Sequence, residues 1–279
     1  MKITAILCNY NGEAYLDECI QSVLAQDRPV DEFIIVDDGS TDRSREIIQT
    51  YSSLSNARYI PHEKNQGQGA GFNTAIEAAT GELLCFIDSD DVWYPNKVSN
   101  VIKVAQSEPA PVLIQHNLAI IAGEVQTKEL FLSFMGAGDL WKEWHTGFYS
   151  PCFAPTAGLC IRADVAKSVL PIPSSLRHSA DSYLTRATIM HGSVANIFSA
   201  LGGYRRHAEN AVHGNETHNS YQFFLREVAP HLHQFYLDQG VPSPVQKYVC
   251  GVKLIDQLQD LSIRRLNGFI RRKFTSLNS

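Results

Sequence analysis

Three carboxylates directly follow a short apolar run. The run is Leu83–Ile87 (LLCFI), and Asp88, Asp90 and Asp91 lie within the next four positions. An apolar run of this length is typical of a buried strand in a parallel sheet, and ligands of such sheets bind beyond the carboxyl ends of the strands. Clustered carboxylates repel one another, and Mg²⁺ or Mn²⁺ would compensate them. A solvated acidic loop is the alternative, but the flanking strand and the motifs below favour a ligand site.

The elements that must position these acids alternate between strand and helix. Apolar runs predict strands at Ile3–Cys8, Phe33–Val36, Ala57–Ile60 and Leu83–Ile87. Helical spacing or helix caps predict helices at Tyr15–Ala25, from Arg43 to Tyr51 and from Phe72 to Ala79. This alternation indicates an α/β fold with a mostly parallel, Rossmann-like sheet and helices on both faces. Polar loops around Asn11, Asp38 and Asp88–Asp91 are therefore expected to meet at one sheet edge.

The second half continues less regularly. Helices are predicted at Val98–Gln106, Ala163–Leu170 and Ala180–His191, and strands at Pro111–Ile121, Gly158–Ile161, Ala195–Ile197 and around Tyr204. From about Ser220 onward the pattern is helical.

Composition limits the classes of protein that remain. The 279 residues fit one large α/β domain or a domain with an appendage, and the net charge of −5 argues against a nucleic-acid binder. The six cysteines form no CxxC pair and several lie in apolar runs, which favours a reducing, cytoplasmic setting. The apolar stretch Ile3–Cys8 is too short for a signal peptide, and no stretch is long enough to span a bilayer.

The order of several motifs resembles family 2 glycosyltransferases, which have the GT-A fold. The motifs are NYN (Asn9–Asn11), VDDGSTD (Val36–Asp42), NQG (Asn65–Gly67) followed by Asn73, and FIDSDD (Phe86–Asp91). The resemblance is dense over residues 3–96 and looser over residues 155–207. It implies transfer of a sugar from a nucleotide diphosphate sugar, most often a UDP-sugar, to an acceptor hydroxyl with inversion.

The same resemblance implies a domain plan. A GT-A domain at residues 1–215 would comprise a nucleotide-binding half at 1–100 and an acceptor half at 101–215. A helical extension would follow at 216–279. Acceptor specificity is expected in variable loops, here residues 123–153 and the C-terminal helices.

On the donor side, Asp38 matches the carboxylate that contacts the nucleotide base, a role that its acceptor chemistry allows. Asn9, Tyr10 and Asn11 match the loop that lies against the base and ribose, although Tyr10 could equally be a packed rim residue. Asp37 is better explained as a helix or turn cap.

The glycine-rich loop NQGQGAG contributes Asn65 and Gly67 to the expected nucleotide site. Many family members have an arginine before the asparagine that matches Asn73. Here Phe72 stands in that position, so this contact is not expected and Phe72 is predicted to lie in the core.

Asp88 and Asp90 match the family's DxD motif. Asp90 is the expected ligand of Mg²⁺ or Mn²⁺, and Asp88 would face the ribose or reach the metal through water. Asp91 is either a supporting acid or an incidental one. Leu201–His207 resembles the family's YRxH stretch, which implies that Arg205 or Arg206 holds the diphosphate. His207 would approach the diphosphate or metal, with a structural histidine as the alternative.

Asp181 is the expected general base. The stretch HSADSYL (His178–Leu184) matches the family's Glu-Asp pair, with Ala180 in place of the glutamate. A plain helix N-cap is the alternative interpretation of Asp181. A helix N-terminus lowers the pKa of a carboxyl group, so burial must act in the opposite direction if Asp181 is to be an effective base.

The acceptor side is less defined. Trp93, Trp141 and Trp144 are candidates for a sugar-binding wall, with core packing as the alternative. The acceptor is expected to be a glycan or a lipid-linked molecule. Ile263, Leu266, Ile270 and Phe274 follow helical spacing among basic residues, although Gly268 interrupts them. This segment indicates either peripheral contact with the inner face of the plasma membrane or a docked terminal helix.

Two rival functions stay open. A sugar nucleotidyltransferase would need basic residues directly after strand one, where NYNGEAY has none. A sugar-nucleotide or glycan-binding module without turnover would leave Asp181 dispensable, and Ala180 is its only support in the sequence.

Overall fold

The computed structural model describes residues 1–123, 125–146, 151–207, 223–246 and 249. The chain divides into two compact units, Met1–Asn215 and Glu216–Ser279. The first unit holds a nine-stranded sheet in which the strand order is β3-β2-β1-β4-β8-β6-β9-β5, and β7 pairs with β6.

The first half of the sheet is parallel. Its strands are β1 (Ile3–Asn9), β2 (Glu32–Asp37), β3 (Ala57–Pro61) and β4 (Leu83–Asp88). Nearly every residue of β1, β2 and β4 is buried, because helices must cover both faces of a parallel sheet. The four predicted strands and their parallel arrangement are therefore confirmed.

Three helices connect these strands. They are α1 (Leu16–Leu24), α2 (Ser44–Thr50) and α3 (Gln68–Ala78). Helix α1 buries Leu16, Cys19, Ile20 and Val23, the face that its sequence spacing predicts. Phe72 of α3 is 1% exposed and packs against Phe86 of β4 with ring centroids 5.2 Å apart, which confirms it as a core residue.

The second half of the sheet mixes directions. Its strands are β5 (Val92–Trp93), β6 (Leu113–Ala122), β7 (Val125–Leu130), β8 (Leu159–Arg162) and β9 (Val194–Arg206). Strand β8 runs antiparallel to both β4 and β6, whereas β6 and β9 are parallel. The α/β class is confirmed, with antiparallel ladders joining the parallel half to the rest of the sheet.

Strand β9 is one 13-residue strand, where the sequence pattern predicts two short ones. Gly202 and Gly203 interrupt the pattern, but they lie opposite β5. A Cβ on Gly202 would stand 2.6 Å from the Val92 carbonyl oxygen. The glycine pair therefore permits close strand pairing instead of ending the strand.

The remaining helices of the first unit are α4 (Lys97–Ala105), α5 (Leu140–Thr146), α6 (Ala163–Ser168) and α7 (Ala180–Thr188). Helix α7 continues as a 3₁₀ turn at Ile189–His191, so the predicted helix over these residues is confirmed. A 3₁₀ turn at Thr156–Gly158 precedes β8.

The second unit contains a π-helical turn, Phe224–Val228, followed by α8 (Ala229–Asp238). Helix α8 buries Leu232 and Tyr236. The basic segment at residues 263–274 lies outside the described residues. Within the described ranges, every helix is too short or too polar to cross a bilayer.

Candidate active site

A cleft of about 660 Å³ opens where β1, β2 and β4 end. The predicted polar loops meet there. All but one of the predicted site residues line the cleft: Asn9, Tyr10, Asn11, Asp38, Asn65, Gly67, Asp88, Asp90, Asp181 and His207. The exception is Arg205.

The loop after β1 forms one wall. Asn9 is buried, and its Nδ2 donates to Asp37 Oδ1 and Ser40 Oγ, each at 3.1 Å. Asn11 adopts a left-handed conformation with φ +52°, which asparagine tolerates better than most residues. Tyr10 is 49% exposed and lines the cleft. The Tyr10 ring is therefore accessible for stacking on a ligand, and the buried Asn9 side chain holds the loop through its two hydrogen bonds.

Asp37 is fully buried and structural. It accepts a hydrogen bond from the Ser40 backbone N–H at 3.3 Å and pairs with Arg45 Nε at 2.9 Å. This geometry confirms the predicted turn cap.

Asp38 organises the glycine-rich loop. Its carboxylate accepts the backbone N–H groups of Gln66 at 2.9 Å and Gly67 at 2.7 Å, and it lies 2.7 Å from His62 Nδ1. Both carboxylate oxygens are therefore engaged by the chain itself, so a contact with a nucleotide base would add to these bonds or replace one of them.

Asp90 pairs with His207, and both side chains line the cleft. The distance from His207 Nε2 to Asp90 Oδ2 is 2.9 Å, and the two side chains are 19% and 26% exposed. The DxD motif and the YRxH-like stretch of the family resemblance thus meet at the predicted metal site.

The carboxyl groups of Asp88 and Asp91 both have raised pKa values. The pKa of Asp88 is raised well above its usual value, chiefly by burial and then by the charges of Asp90 and Asp181. Side-chain hydrogen bonds from Thr156 and Gln68 act in the opposite direction. Asp91 is 1% exposed, and burial followed by Asp90 and Asp88 raises its pKa as well.

These residues fit a divalent cation held partly by substrate. In the described parts of the chain, no three His, Cys, Asp or Glu side chains are grouped as a complete metal site. Mg²⁺, however, commonly takes one or two protein ligands and completes its shell with substrate phosphates and water. Asp90 and His207 supply that number, and Asp88 adds a further carboxyl group to the same cleft.

Arg205, the predicted diphosphate contact, does not line the cleft. Its guanidinium is 8% exposed, donates from Nη2 to Glu18 Oε2 at 2.6 Å, and donates from Nε to the Asp90 carbonyl at 3.0 Å. Its backbone N–H donates to Asp91 Oδ1 at 2.9 Å. Arg205 therefore fastens the acidic loop to α1. Arg206 is also outside the cleft lining, 3.6 Å from Glu129.

Asp181 lies in the first turn of α7, on the cleft. Ser179 occupies the N-cap position with φ +57°, so the alternative role of Asp181 as a plain N-cap is not observed. Asp181 Oδ1 accepts the Ser182 N–H at 2.8 Å. Burial nevertheless raises the pKa of Asp181, against the lowering effects of that bond and of Arg186. The balance is therefore the one that a general base needs.

Two cleft residues at the start of the predicted base motif have no role in the sequence prediction. Arg177 and His178 belong to the segment at residues 171–179, which we name the strap, and both line the cleft. The signal available in the sequence is that Arg177 directly precedes the HSADSYL stretch and His178 opens it.

The three tryptophans do not line the cleft. Trp93 is 3% exposed beneath the Lys97 ammonium, which lies 3.8 Å from its ring centroid, and Trp144 is 2% exposed. Trp141 packs against His145 with ring centroids 4.1 Å apart. Core packing thus replaces the predicted acceptor wall for Trp93 and Trp144.

Comparisons with known proteins identify the family of this chain. The family model for Glycosyl transferase family 2 matches residues 4–157, more than half of the chain. An uncharacterized glycosyltransferase of Nostoc sp. is 37% identical over 224 residues, which cover 75% of this chain and 66% of the relative's length.

Solved structures share the fold. TarS 1–349 of S. aureus in complex with UDP-GlcNAc superposes with a TM-score of 0.65 at 21% identity, over 84% of this chain and 67% of that one. The mannosyltransferase PcManGT from Pyrobaculum calidifontis in complex with GDP-Man and Mn²⁺ gives a TM-score of 0.56 at 18% identity, over 88% and 67%. The matched sequence model, the Nostoc relative and the shared GT-A fold confirm the resemblance: this chain belongs to glycosyl transferase family 2.

Proposed function

We propose that this chain is an inverting, metal-dependent glycosyltransferase that moves a sugar from a nucleotide diphosphate sugar to an acceptor hydroxyl. One observation carries the proposal. A half-buried carboxyl group with a raised pKa, Asp181, shares a cleft with the Asp90–His207 pair. The cleft thus combines a base with a site for the leaving diphosphate.

The proposed reaction is a single displacement. The acceptor hydroxyl gives its proton to the Asp181 carboxylate as its oxygen forms a bond to the anomeric carbon. The bond from that carbon to the diphosphate oxygen breaks, and the nucleoside diphosphate leaves with the electron pair. Attack on the face opposite the leaving group inverts the anomeric centre. A raised pKa brings Asp181 closer to working pH, which improves general base catalysis.

Asp90 and His207 would hold Mg²⁺ or Mn²⁺, which when bound neutralises charge on the diphosphate. The structural neighbour from Pyrobaculum calidifontis is described with Mn²⁺ and GDP-Man. This similarity in fold supports a divalent metal as the cofactor of this chain.

We assign UDP as the nucleotide of the donor. TarS, which shares the fold, is described in complexes with UDP and UDP-GlcNAc. In this chain, Tyr10 offers an exposed ring beside the buried amide of Asn9, a combination suited to stacking a base above a polar loop. The acceptor would be a hydroxyl of a glycan or a lipid-linked molecule.

Nucleotide release from a donor panel tests this function. The purified chain would be mixed with UDP-, GDP- and dTDP-sugars in Mn²⁺ or EDTA, and free nucleoside diphosphate would be assayed. We expect slow release from one UDP-sugar by hydrolysis, abolished by EDTA and by Asp90→Ala. Asp181→Asn should lower release at least about 100-fold, because general base catalysis contributes 10²–10⁴-fold.

Asp164→Asn is a matched control, since Asp164 is 64% exposed and pairs with Arg162 outside the cleft. Release that persists in Asp181→Asn would remove the base assignment.

Calorimetry of donor binding and an assay for pyrophosphate distinguish the two rival functions. Tight donor binding without release, even with acceptor extracts present, would favour the binding module. Release of pyrophosphate from a nucleoside triphosphate and a sugar phosphate would favour the nucleotidyltransferase.

A further inference from the structure

The cleft has a charge imbalance that bears on donor binding. Four carboxylate side chains line it: Asp38, Asp88, Asp90 and Asp181. A nucleoside diphosphate adds further negative charge. Within the described residues, Arg177 supplies the single Lys or Arg side chain of the cleft lining, since Arg205 is turned to Glu18 and Phe72 occupies the place of the family's arginine.

Arg177 is held against the glycine-rich loop by close packing. Gly67 has φ +93°, and a Cβ there would stand 2.6 Å from Arg177 Cα and 3.0 Å from its Cγ. The Arg177 guanidinium donates from Nη2 to the Asn65 side-chain oxygen. The loop therefore has the glycine at the position where the arginine stem crosses it, and an amide oxygen that aims the guanidinium.

The backbone at this point cannot serve as the anion site. Gly67 caps α3, and a free helix N-terminus would offer N–H groups to phosphate. Here the Gln68 N–H donates to the Arg177 carbonyl and the Gly69 N–H to the Leu176 carbonyl, each at 3.0 Å. These two N–H groups are therefore already hydrogen-bonded to the strap. In their place the strap offers the cationic side chain of Arg177.

The strap is itself fixed. Asn73 Nδ2 donates to the Ile172 carbonyl and Asn73 Oδ1 accepts the Ile172 N–H, both at 2.8 Å. The backbone that carries Arg177 is thus anchored, and the exposed Arg177 side chain lines the cleft beside Asn65 of the glycine-rich loop.

We propose that Arg177 is the cation that binds the diphosphate of the donor, supplied by the strap instead of by α3. The inference rests on the proposed function, because it presupposes a nucleoside diphosphate in this cleft. A guanidinium forks onto phosphate oxygens with two parallel hydrogen bonds and stays charged at all working pH values.

Calorimetric titration of the full chain with UDP and with uridine, in Mn²⁺, tests the assignment. The variants are Arg177→Gln, Arg177→Lys and the control Arg58→Gln, an exposed arginine on β3 outside the cleft lining. We expect Arg177→Gln to weaken UDP binding about 10- to 100-fold, the effect of losing charged hydrogen bonds. Uridine binding should stay unchanged, and Arg177→Lys should fall between wild type and Arg177→Gln.

The outcomes separate the two proposals. UDP binding in Arg177→Gln equal to wild type overturns the role of Arg177 and leaves the transferase intact. Equal weakening of UDP and uridine shows general damage to the loop and also overturns a diphosphate role. Wild-type protein that binds neither UDP nor GDP nor dTDP overturns the proposed function, and this inference with it.

Discussion

Gln68 Oε1 accepts the Ala180 backbone N–H at 2.9 Å, which joins the first turn of α3 to the first turn of α7. The same side chain hydrogen-bonds Asp88. One amide therefore links the acidic strand end to the helix that carries Asp181, which makes Gln68 a positioning residue for the proposed base.

Gln68→Ala should lower kcat about 10-fold while changing the donor Kd less, because a hydrogen bond that orients a reacting group contributes on the order of 1.5 kcal/mol. Loss of the bond to Asp88 should also raise the pKa of Asp88 further and shift the pH–rate profile. Steady-state kinetics at several pH values measure both effects. Gln49→Ala, at an exposed position of α2, is the control. An unaltered pH profile with reduced stability would indicate a purely structural role.

The acidic limb of the pH–rate profile should report Asp181. Because burial raises its pKa, kcat/KM should be full at high pH and fall as pH drops through that raised value. Arg186 acts to lower this pKa, so Arg186→Gln should move the limb to higher pH. Arg162→Gln, which removes an exposed pair outside the cleft, should leave it in place. An acidic limb at the same pH in Arg186→Gln and in the wild type would argue against Asp181 as the titrating base.

Asp91→Asn should stabilise the metal-free protein near neutral pH. The pKa of Asp91 is raised in the folded state, so the folded chain binds a proton that the unfolded chain releases above about pH 3.9. Wild-type stability should therefore increase as pH falls from neutral toward about pH 4, by at most about 1.4 kcal/mol per pH unit for this group. The amide introduced by Asp91→Asn keeps an oxygen for the Arg205 N–H and removes that dependence.

Denaturant unfolding with chelator present, between pH 4 and pH 8, measures the difference. Asp164→Asn provides the opposite sign, because Arg162 lowers the pKa of Asp164 and its stabilising effect disappears as pH falls. A wild-type slope identical to that of Asp91→Asn would contradict the raised pKa.

Gly67→Ala should destabilise the chain more than Gly123→Ala. Both glycines have positive φ, but a Cβ at Gly67 meets the Arg177 backbone at 2.6 Å, whereas a Cβ at Gly123 meets nothing within 4 Å. Backbone strain of about 1–2 kcal/mol is common to both variants. The excess in Gly67→Ala isolates the contact with the strap, and it should be accompanied by weaker UDP binding. Equal losses of unfolding free energy would mean that the strap moves away without cost.

The parallel half of the fold and most of the cleft could be predicted from the sequence, because buried strands and their terminal acids are local patterns. Motif order predicts Asp90 as a metal ligand and His207 as a residue near the diphosphate or the metal, but not the contact between them. The contacts of Arg205 with Glu18 and the Asp90 carbonyl could not be predicted, because they depend on how β9 lies beside the acidic loop. Arg177 was missed because its position depends on the strap's backbone, including the left-handed Ser179.

The reciprocal bonds between Asn73 and Ile172 join positions that are 99 residues apart in the chain. They fix α3, the helix that follows the glycine-rich loop, to the strap, so that the two must be exchanged together. A chimaera that takes residues 171–181 from a relative would present its arginine and base correctly only in a host with asparagine at 73 and glutamine at 68. The proposed roles of Arg177 in donor binding and of Asp181 as the base are thus coupled in any attempt to redesign this enzyme's specificity.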